Sequence, residues 1–584
     1  MSVFLLGRFR SISGLQTRVG FMRTIRKVLP QNVASLSPCQ SGNTYSTETP
    51  RGLRHEEKLK WSYVHGLAST PLIGVTIGQR LRDMAEAHPG REAMVFCRDD
   101  VRFTFEQLLT QADRLAAGLM SLGVKRGDRV GIWSHNCPEW ILLQYATARA
   151  GMILVNVNPS YKADELEYAL RKVDVKALVM AESFRKQDYY PILTEICPQL
   201  ENCPANDLRC PNLPRLRSVI TLSEKEFPGT LKFSNVLESG TNVYLQAVYD
   251  IQDKLQFDDP INIQFTSGTT GLPKGATLTH HNIVNNSRSI GHMLGYDKQE
   301  SRICVPVPLY HCFGMVIGSL QCVTHGATCV FPCAGFEPST TLTAVHEERC
   351  TSLYGTPTMF IDMLHVSNFT EFDLQSLNTG VMAGSPCPIE VMRQVIDKMH
   401  MPHITAKVIS ENGDVVPVGT PGNLCIRGYS VMLGYWGEAE KTKDCITPDG
   451  WYQTGDVVVL DEDGYGRIVG RLTDMINRGG ENVYPVEVEN VIYRHPGVAD
   501  VQVIGVPDER FGEEVCAWVR LKDNVEATAE EIKQFCKGKV SHFKIPRYIR
   551  FVDEFPMTVT GKVQKFKMRN EEAKMLRSTS TNCK

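Results

Sequence analysis

Between about residue 72 and residue 400 the chain alternates stretches of helical apolar spacing with short, nearly continuous apolar runs, and a layered α/β architecture buries that pattern best. Thr104-x-x-Gln107 forms a capping box. Leu108, Leu115, Leu119 and Leu122 follow at helical spacing, and Gly123 suits a C-terminal stop. Arg129-Val130-Gly131-Ile132-Trp133 then reads as a buried strand. Similar units recur, with Ser134-His135-Asn136 and Asn156-Val157-Asn158-Pro159 as loops at strand ends, where open α/β sheets place ligands. The expectation is a large doubly wound region.

From about Ile409 the texture becomes short strands with Gly- and Pro-containing turns, at Glu411-Asn412-Gly413-Asp414, Pro421-Gly422 and Asp461-Glu462-Asp463-Gly464, which predicts a small β-rich subdomain. A second domain begins after Arg471. Pro485 opens a helix that turns Val488, Val491 and Ile492 inward and ends at His495-Pro496-Gly497. Strand-like Val501-x-Val503 and Val515-Cys516-Ala517-Trp518-Val519 follow, and Thr528-x-x-Glu531 caps a helix with Ile532, Phe535 and Cys536 on one face. A compact α+β domain of roughly 110 residues is of ordinary size.

At 584 residues, 42% hydrophobic and 22% charged, the chain can bury a large core, and its net charge of −2 gives no argument for nucleic acid. No apolar run approaches the ~20 residues needed to cross a bilayer. The 18 cysteines are scattered, and the spacing of Cys197, Cys203 and Cys210 suits neither a zinc site nor a small disulfide framework, so all are expected as reduced thiols. Residues 1–47 differ from the rest. They carry Arg8, Arg10, Arg18, Arg23, Arg26 and Lys27, seven serines and no acidic residue. Phe21, Ile25, Val28 and Leu29 share one helical face, with Arg23, Arg26 and Lys27 mostly on another, the pattern of a mitochondrial transit peptide. Removing these six charges takes the formal net charge from −2 to −8. A matrix location follows as the expectation.

Residues 266–275, Thr266-Ser267-Gly268-Thr269-Thr270-Gly271-Leu272-Pro273-Lys274-Gly275, suit wrapping a polyphosphate. Gly268 and Gly271 let backbone N–H groups approach anionic oxygens, the three threonines and Ser267 add hydroxyl donors, and Lys274 adds a point charge. The common triphosphate loop, G-x-x-x-x-G-K-[ST], is excluded because Pro273 precedes the lysine and Gly275-Ala276 follow it. A surface turn is the plainer reading of such a cluster; its position directly after the strand-like Ile261–Phe265 favours the phosphate cradle.

The loop resembles the signature of the acyl-adenylate-forming (AMP-binding) superfamily, and further stretches agree in the family's order. They are Pro308-Leu309-Tyr310-His311-Cys312-Phe313-Gly314, Met382-Ala383-Gly384-Ser385-Pro386, Gly422-Asn423-Leu424-Cys425-Ile426-Arg427-Gly428, Tyr452-Gln453-Thr454-Gly455-Asp456, Gly470-Arg471-Leu472-Thr473-Asp474, Arg478-Gly479-Gly480-Glu481-Asn482-Val483-Tyr484-Pro485 and Pro556-Met557-Thr558-Val559-Thr560-Gly561-Lys562. The resemblance implies a large AMP-binding domain over 72–471, doubly wound with a small β-rich subdomain, and a small, mobile α+β domain over 472–584. It implies ATP, Mg²⁺ and CoA, with a medium-chain fatty acid as the acid partner. No nucleic-acid partner is expected, and oligomeric state is left open.

The site roles are likewise those the resemblance implies. Residues 266–274 cradle the phosphates, and Lys562 reaches from the small domain to the α-phosphate and carboxylate oxygens. Asp456 and Arg471 hold the ribose hydroxyls. His311 borders the acyl tunnel, with Met315, Gly318, Tyr354, Gly355 and Thr356 as further lining, and Gly479-Gly480 line the thiol's channel after the small domain rotates. Read alone, Asp456 is a turn residue, Arg471 half of a surface pair, Lys562 a solvated lysine beside Lys565, Lys567 and Arg569, and His311 a satisfied core histidine. Lys537, Lys539, Lys544 and Arg547 are expected to form a solvated face rather than to receive CoA phosphates.

One family motif is missing. A Tyr-Gly-x-Thr-Glu strand end, whose glutamate ligates Mg²⁺ in the family, is expected between the helix ending near Met401 and the following hairpin. Instead Met401 runs directly into Pro402-His403-Ile404-Thr405-Ala406-Lys407-Val408. The implied alternative function is a catalytically impaired variant that at most binds a nucleotide or a partner. The lost strand is expected to expose sheet edge and core surface.

Overall fold

The computed structural model describes Ser62 and residues 71–581 apart from 267–272, 385–388, 400, 402, 405–418, 463–465, 472–473, 480, 509, 523–524 and 558–562. The transit-peptide reading of 1–47, Ser267 to Leu272, Gly480 and Lys562 therefore lie outside the described residues, as does the Glu411–Asp414 turn.

The alternation up to residue 400 resolves into two sheets. One has eight strands in the order Gly434–Tyr435, Lys274–Thr279, Pro260–Thr266, Ile153–Val157, Arg129–Trp133, Val175–Met180, Ser218–Thr221 and Leu231–Lys232. It is parallel from Pro260–Thr266 onward and antiparallel at the first two pairings. The other has seven, in the order His403–Ile404, Thr379–Met382, Ser352–Gly355, Arg302–Cys304, Thr328–Phe331, Glu92–Phe96 and Val101–Thr104. Only its last pairing is antiparallel. One core cluster joins both sheets and takes in the helix Pro138–Ala150, which is buried on nearly every side. A helix apolar all round belongs between layers, and this one sits there. Its single cation, Arg149, is neutralised by Asp113 on the helix Phe105–Ser121.

Local sequence signals predict local structure well. Thr104 accepts from the Gln107 backbone while the Gln107 side chain accepts from the Thr104 backbone, and the helix stops at Ser121, two residues before Gly123. The strand Arg129–Trp133 matches its expected bounds. Asn156 and Val157 differ: they belong to the fully buried strand Ile153–Val157, because Asn156 satisfies its side-chain amide inside the core. The cysteine expectation is corrected too. Cys197 and Cys210 form a disulfide, since the helix Tyr189–Ile196 ends against the segment that carries Cys210, while Cys203 keeps a free thiol.

The β-rich subdomain consists of Gly422–Ile426, Tyr452–Leu460 and Gly466–Arg471, all antiparallel. The C-terminal domain is built on Glu481–Val483, Ile476–Arg478, Gly512–Leu521 and Val498–Asp508, with Tyr548–Phe551 parallel to Gly512–Leu521. Strand alternation sorts its two faces. Val503, Val515, Ala517 and Val519 join the helices Pro485–Ile492 and Ala529–Cys536 on one side; Ile504, Cys516 and Trp518 meet Phe555 and Met568 on the other. At the break after Met401, the two-residue strand His403–Ile404 occupies the edge of the seven-stranded sheet, not its centre.

Candidate active site

The strands Pro260–Thr266 and Lys274–Thr279 pair antiparallel and their last register partners are Thr266 and Lys274, so these two residues bracket positions 267–272 of the glycine- and threonine-rich stretch. The Thr266 hydroxyl donates to the Lys274 carbonyl at 3.5 Å. Lys274 places its ammonium 4.9 Å from the centre of the Tyr435 ring. Tyr435 lies in the neighbouring strand, opposite Ala276. Among the described residues, no carboxylate lies within ion-pair distance of Lys274. A ring orients an ammonium without neutralising it, so the charge stays available to an anionic ligand.

Asp456 and Arg471 are brought together. They are register partners across two strands, and Arg471 Nε donates to Asp456 Oδ1 at 3.1 Å. Tight pairing across strands, with one partner half open to solvent, fits ligand-holding as well as a surface pair.

The Pro308–Phe313 segment crosses the ends of Ile153–Val157 and Pro260–Thr266, where Asn156 lies in register with Gln264 two residues before Thr266. It leads into a π-helix, Phe313–Ser319. His311 is partly exposed, and its Nδ1 accepts from the Phe313 N–H at 3.1 Å. A neutral ring held this way carries its proton on Nε2. Of the expected lining, Met315 and Gly318 sit in the π-helix and are buried, and Tyr354 stacks on Phe313 with ring centres 5.9 Å apart. Thr356 is committed to capping the helix Pro357–Leu364 through the Met359 N–H.

Gly479 has φ +61 and donates its N–H to the Phe511 carbonyl at 2.8 Å, and a Cβ there would lie 2.9 Å from the Phe511 ring. Both the backbone angle and the ring therefore require glycine. Phe511 is flanked by the guanidiniums of Arg478 and Arg510, 4.2 and 4.9 Å from its centre. On either side of residues 558–562, Met557 and Val563 form an antiparallel bridge, and the Gln564 N–H donates to the Pro556 carbonyl. Of the cations after this bridge, Lys565 pairs with Glu489 and Arg569 with Asp474, while Lys567 is exposed. Lys544, only partly exposed, pairs with Glu487, and the more open Arg547 pairs with Asp508.

Sequence reasoning missed Tyr435 as the support of Lys274. Gly434-Tyr435-Trp436 is a readable strand fragment, but its pairing beside residue 276 is not a local property.

The chain matches the family model described as AMP-binding enzyme over residues 81–403 and that described as AMP-binding enzyme C-terminal domain over 487–562. It is 44% identical over 608 residues to the mitochondrial medium-chain acyl-CoA ligase ACSF2 of Danio rerio, covering 97% of this chain and 99% of that one. Against its Homo sapiens counterpart the identity is 47%, over 87% and 89% of the two chains. Among solved structures, an anthranilate CoA ligase, AuaEII, in complex with anthranoyl-AMP aligns with a TM-score of 0.74 at 26% identity, over 86% of this chain and 98% of that one. ATP-bound MatB from Rhodopseudomonas palustris gives 0.73 at 24% identity, over 86% and 100%, and shares the fold. With a large N-terminal and a small C-terminal domain and two family models in the right order, the chain belongs to the AMP-binding enzyme family, within which the relatives matched over most of its length are acyl-CoA ligases.

Proposed function

We propose that the chain is an ATP-dependent ligase that joins a medium-chain fatty acid to CoA through an acyl-adenylate, in the mitochondrial matrix. The observation that carries this is the hairpin pairing Thr266 with Lys274, with the lysine's charge held by a ring and unspent on any described carboxylate. In the first step a carboxylate oxygen attacks the α-phosphorus and pyrophosphate leaves. Residues 266–274 supply donors and charge to the phosphate oxygens, and Lys562 brings a second charge to the carboxylate and α-phosphate. His311, protonated on Nε2, donates to the carboxylate and orients it, while Asp456 and Arg471 hold the ribose. In the second step the CoA sulfur attacks the carbonyl carbon of the mixed anhydride, the C–O bond to phosphate breaks, and AMP leaves with its electrons. Gly479 and Gly480 allow the pantetheine arm to pass close to backbone. The domain boundary is placed at 471/472, with a transit peptide over 1–47.

Mg²⁺ is the remaining component of the reading. An ion that accompanies ATP is held by phosphate oxygens, water and one or two carboxylates, and the chain lacks the Tyr-Gly-x-Thr-Glu glutamate that supplies the family's carboxylate, so no step is assigned to it.

A second reading, an impaired variant, is favoured by one observation. The alignment to the Danio rerio relative spans 608 positions, more than the 584 residues of this chain, so that relative carries residues absent here. ATP–pyrophosphate exchange with octanoate separates the two. Exchange that falls about 10²–10³-fold in Lys562→Ala, about 3–4 kcal/mol of transition-state stabilisation, supports the ligase. No exchange from a cooperatively melting sample supports the variant.

A further inference from the structure

Two asparagines on neighbouring strands and a third in the loop after Arg129–Trp133 converge beneath the segment that carries His311. Asn136, in that loop, donates through Nδ2 to the Val307 carbonyl at 3.1 Å and accepts through Oδ1 from the Leu309 N–H at 2.8 Å. Asn156 donates through Nδ2 to the Tyr310 carbonyl at 3.1 Å. Its Oδ1 accepts from Asn262 Nδ2 at 2.9 Å, and Asn262 lies on the strand that runs into Thr266. All three are buried, each 3% exposed or less. The residue after this clamp is His311, whose carbonyl accepts the Met315 N–H and starts the next helical segment.

We propose that Asn136 and Asn156 are positioning residues: with Asn262 they form a buried amide relay that ties the His311 segment to the phosphate-loop strand and fixes the ring orientation in which Nδ1 faces Phe313 and Nε2 faces the acyl carboxylate. This rests on the reading of His311 as the carboxylate's donor. The backbone of 307–310 runs across strand ends, where no ladder partner sets its height, so its register depends on these side chains. Loss of Asn156 removes its bond to the Tyr310 carbonyl beside the histidine and leaves Asn262 its separate bond to the Leu154 carbonyl, which spares the phosphate-loop strand.

The test is a double-mutant cycle in octanoate-dependent ATP–pyrophosphate exchange on the full chain, with Asn156→Leu, His311→Ala and the pair. Asn156→Leu is expected to lower kcat/KM for octanoate about 10–100-fold, the cost of a misplaced group, with KM for ATP changed less than about 2-fold. Added to His311→Ala it should cost less than about a further 2-fold. An equal loss in both backgrounds, or no loss in either, overturns the relay; a wild-type rate in His311→Ala alone overturns the His311 reading and the relay with it. A readout independent of turnover is the His311 tautomer in spectra of nitrogen-labelled histidine, assigned by the signal lost in His311→Ala. A parent ring protonated on Nε2 that becomes a mixture in Asn156→Leu supports the relay, and an unchanged tautomer overturns it. If Asn156→Leu shows no melting transition, Asn136→Ser, too short to reach Val307 and Leu309, goes through the same measurements with the same criteria.

Discussion

Arg149 and Asp113 meet between two helices with side chains 3% and 6% exposed, whereas Arg471 and Asp456 face each other across two strands with side chains 47% and 12% exposed. The buried arginine is saturated: Nε and Nη2 go to the Asp113 carboxylate, and Nη1 to the Gln252 side chain at 2.7 Å. Burial still lifts the Asp113 carboxyl above its ordinary range, against the pull of Arg149. On the proposed reading, the same two residue types serve the scaffold in one place and a ligand in the other. Access to solvent is what separates them, because a pair sealed in the core cannot trade a partner for a ribose hydroxyl.

The largest expected effect tests the sealed pair. Asp113→Ala leaves the Arg149 guanidinium buried without its counter-charge and should destabilise the protein by about 3–5 kcal/mol in chemical denaturation, and a loss below about 1 kcal/mol would equate it with the open pair. Acid probes a second set of scaffold polar groups. Burial pushes His280 down to about 3, and it accepts the Ile77 N–H through Nδ1; burial also takes His135 and His325 down to about 4. A neutral histidine with a depressed value adds stability that is present above its unfolded value of 6.5 and is lost as pH falls toward the folded one. Each should cost about 2 kcal/mol by pH 5, so His280→Asn should shrink the difference between pH 7 and pH 5 by that amount. An unchanged difference would show that another group carries the acid sensitivity. The smallest structural effect belongs to the open pair. Asp456→Ala should change stability by less than about 1 kcal/mol while raising KM for ATP about 10–100-fold, and the reverse pattern would make it a scaffold pair.

What was legible in the sequence was whatever neighbouring residues decide. The capping boxes at Thr104 and Thr528 and the strand Arg129–Trp133 depend on contacts a few residues apart. The site's supports were not, because they join distant segments: Asn136 reaches Leu309 across 173 positions, and Tyr435 meets Lys274 only through sheet pairing. The Cys197–Cys210 link escaped for the same reason, since it needs a helix end and a later loop to coincide. Asn156 looked like a loop residue because asparagine is rare in a buried strand, and only its amide partners explain it.

The Met557–Val563 bridge holds together the residues on either side of 558–562, and Lys565 is moored to Glu489 just beyond. On the proposed reading, whatever Lys562 delivers travels as cargo on the five-stranded sheet, and its arrival is timed by the carrier.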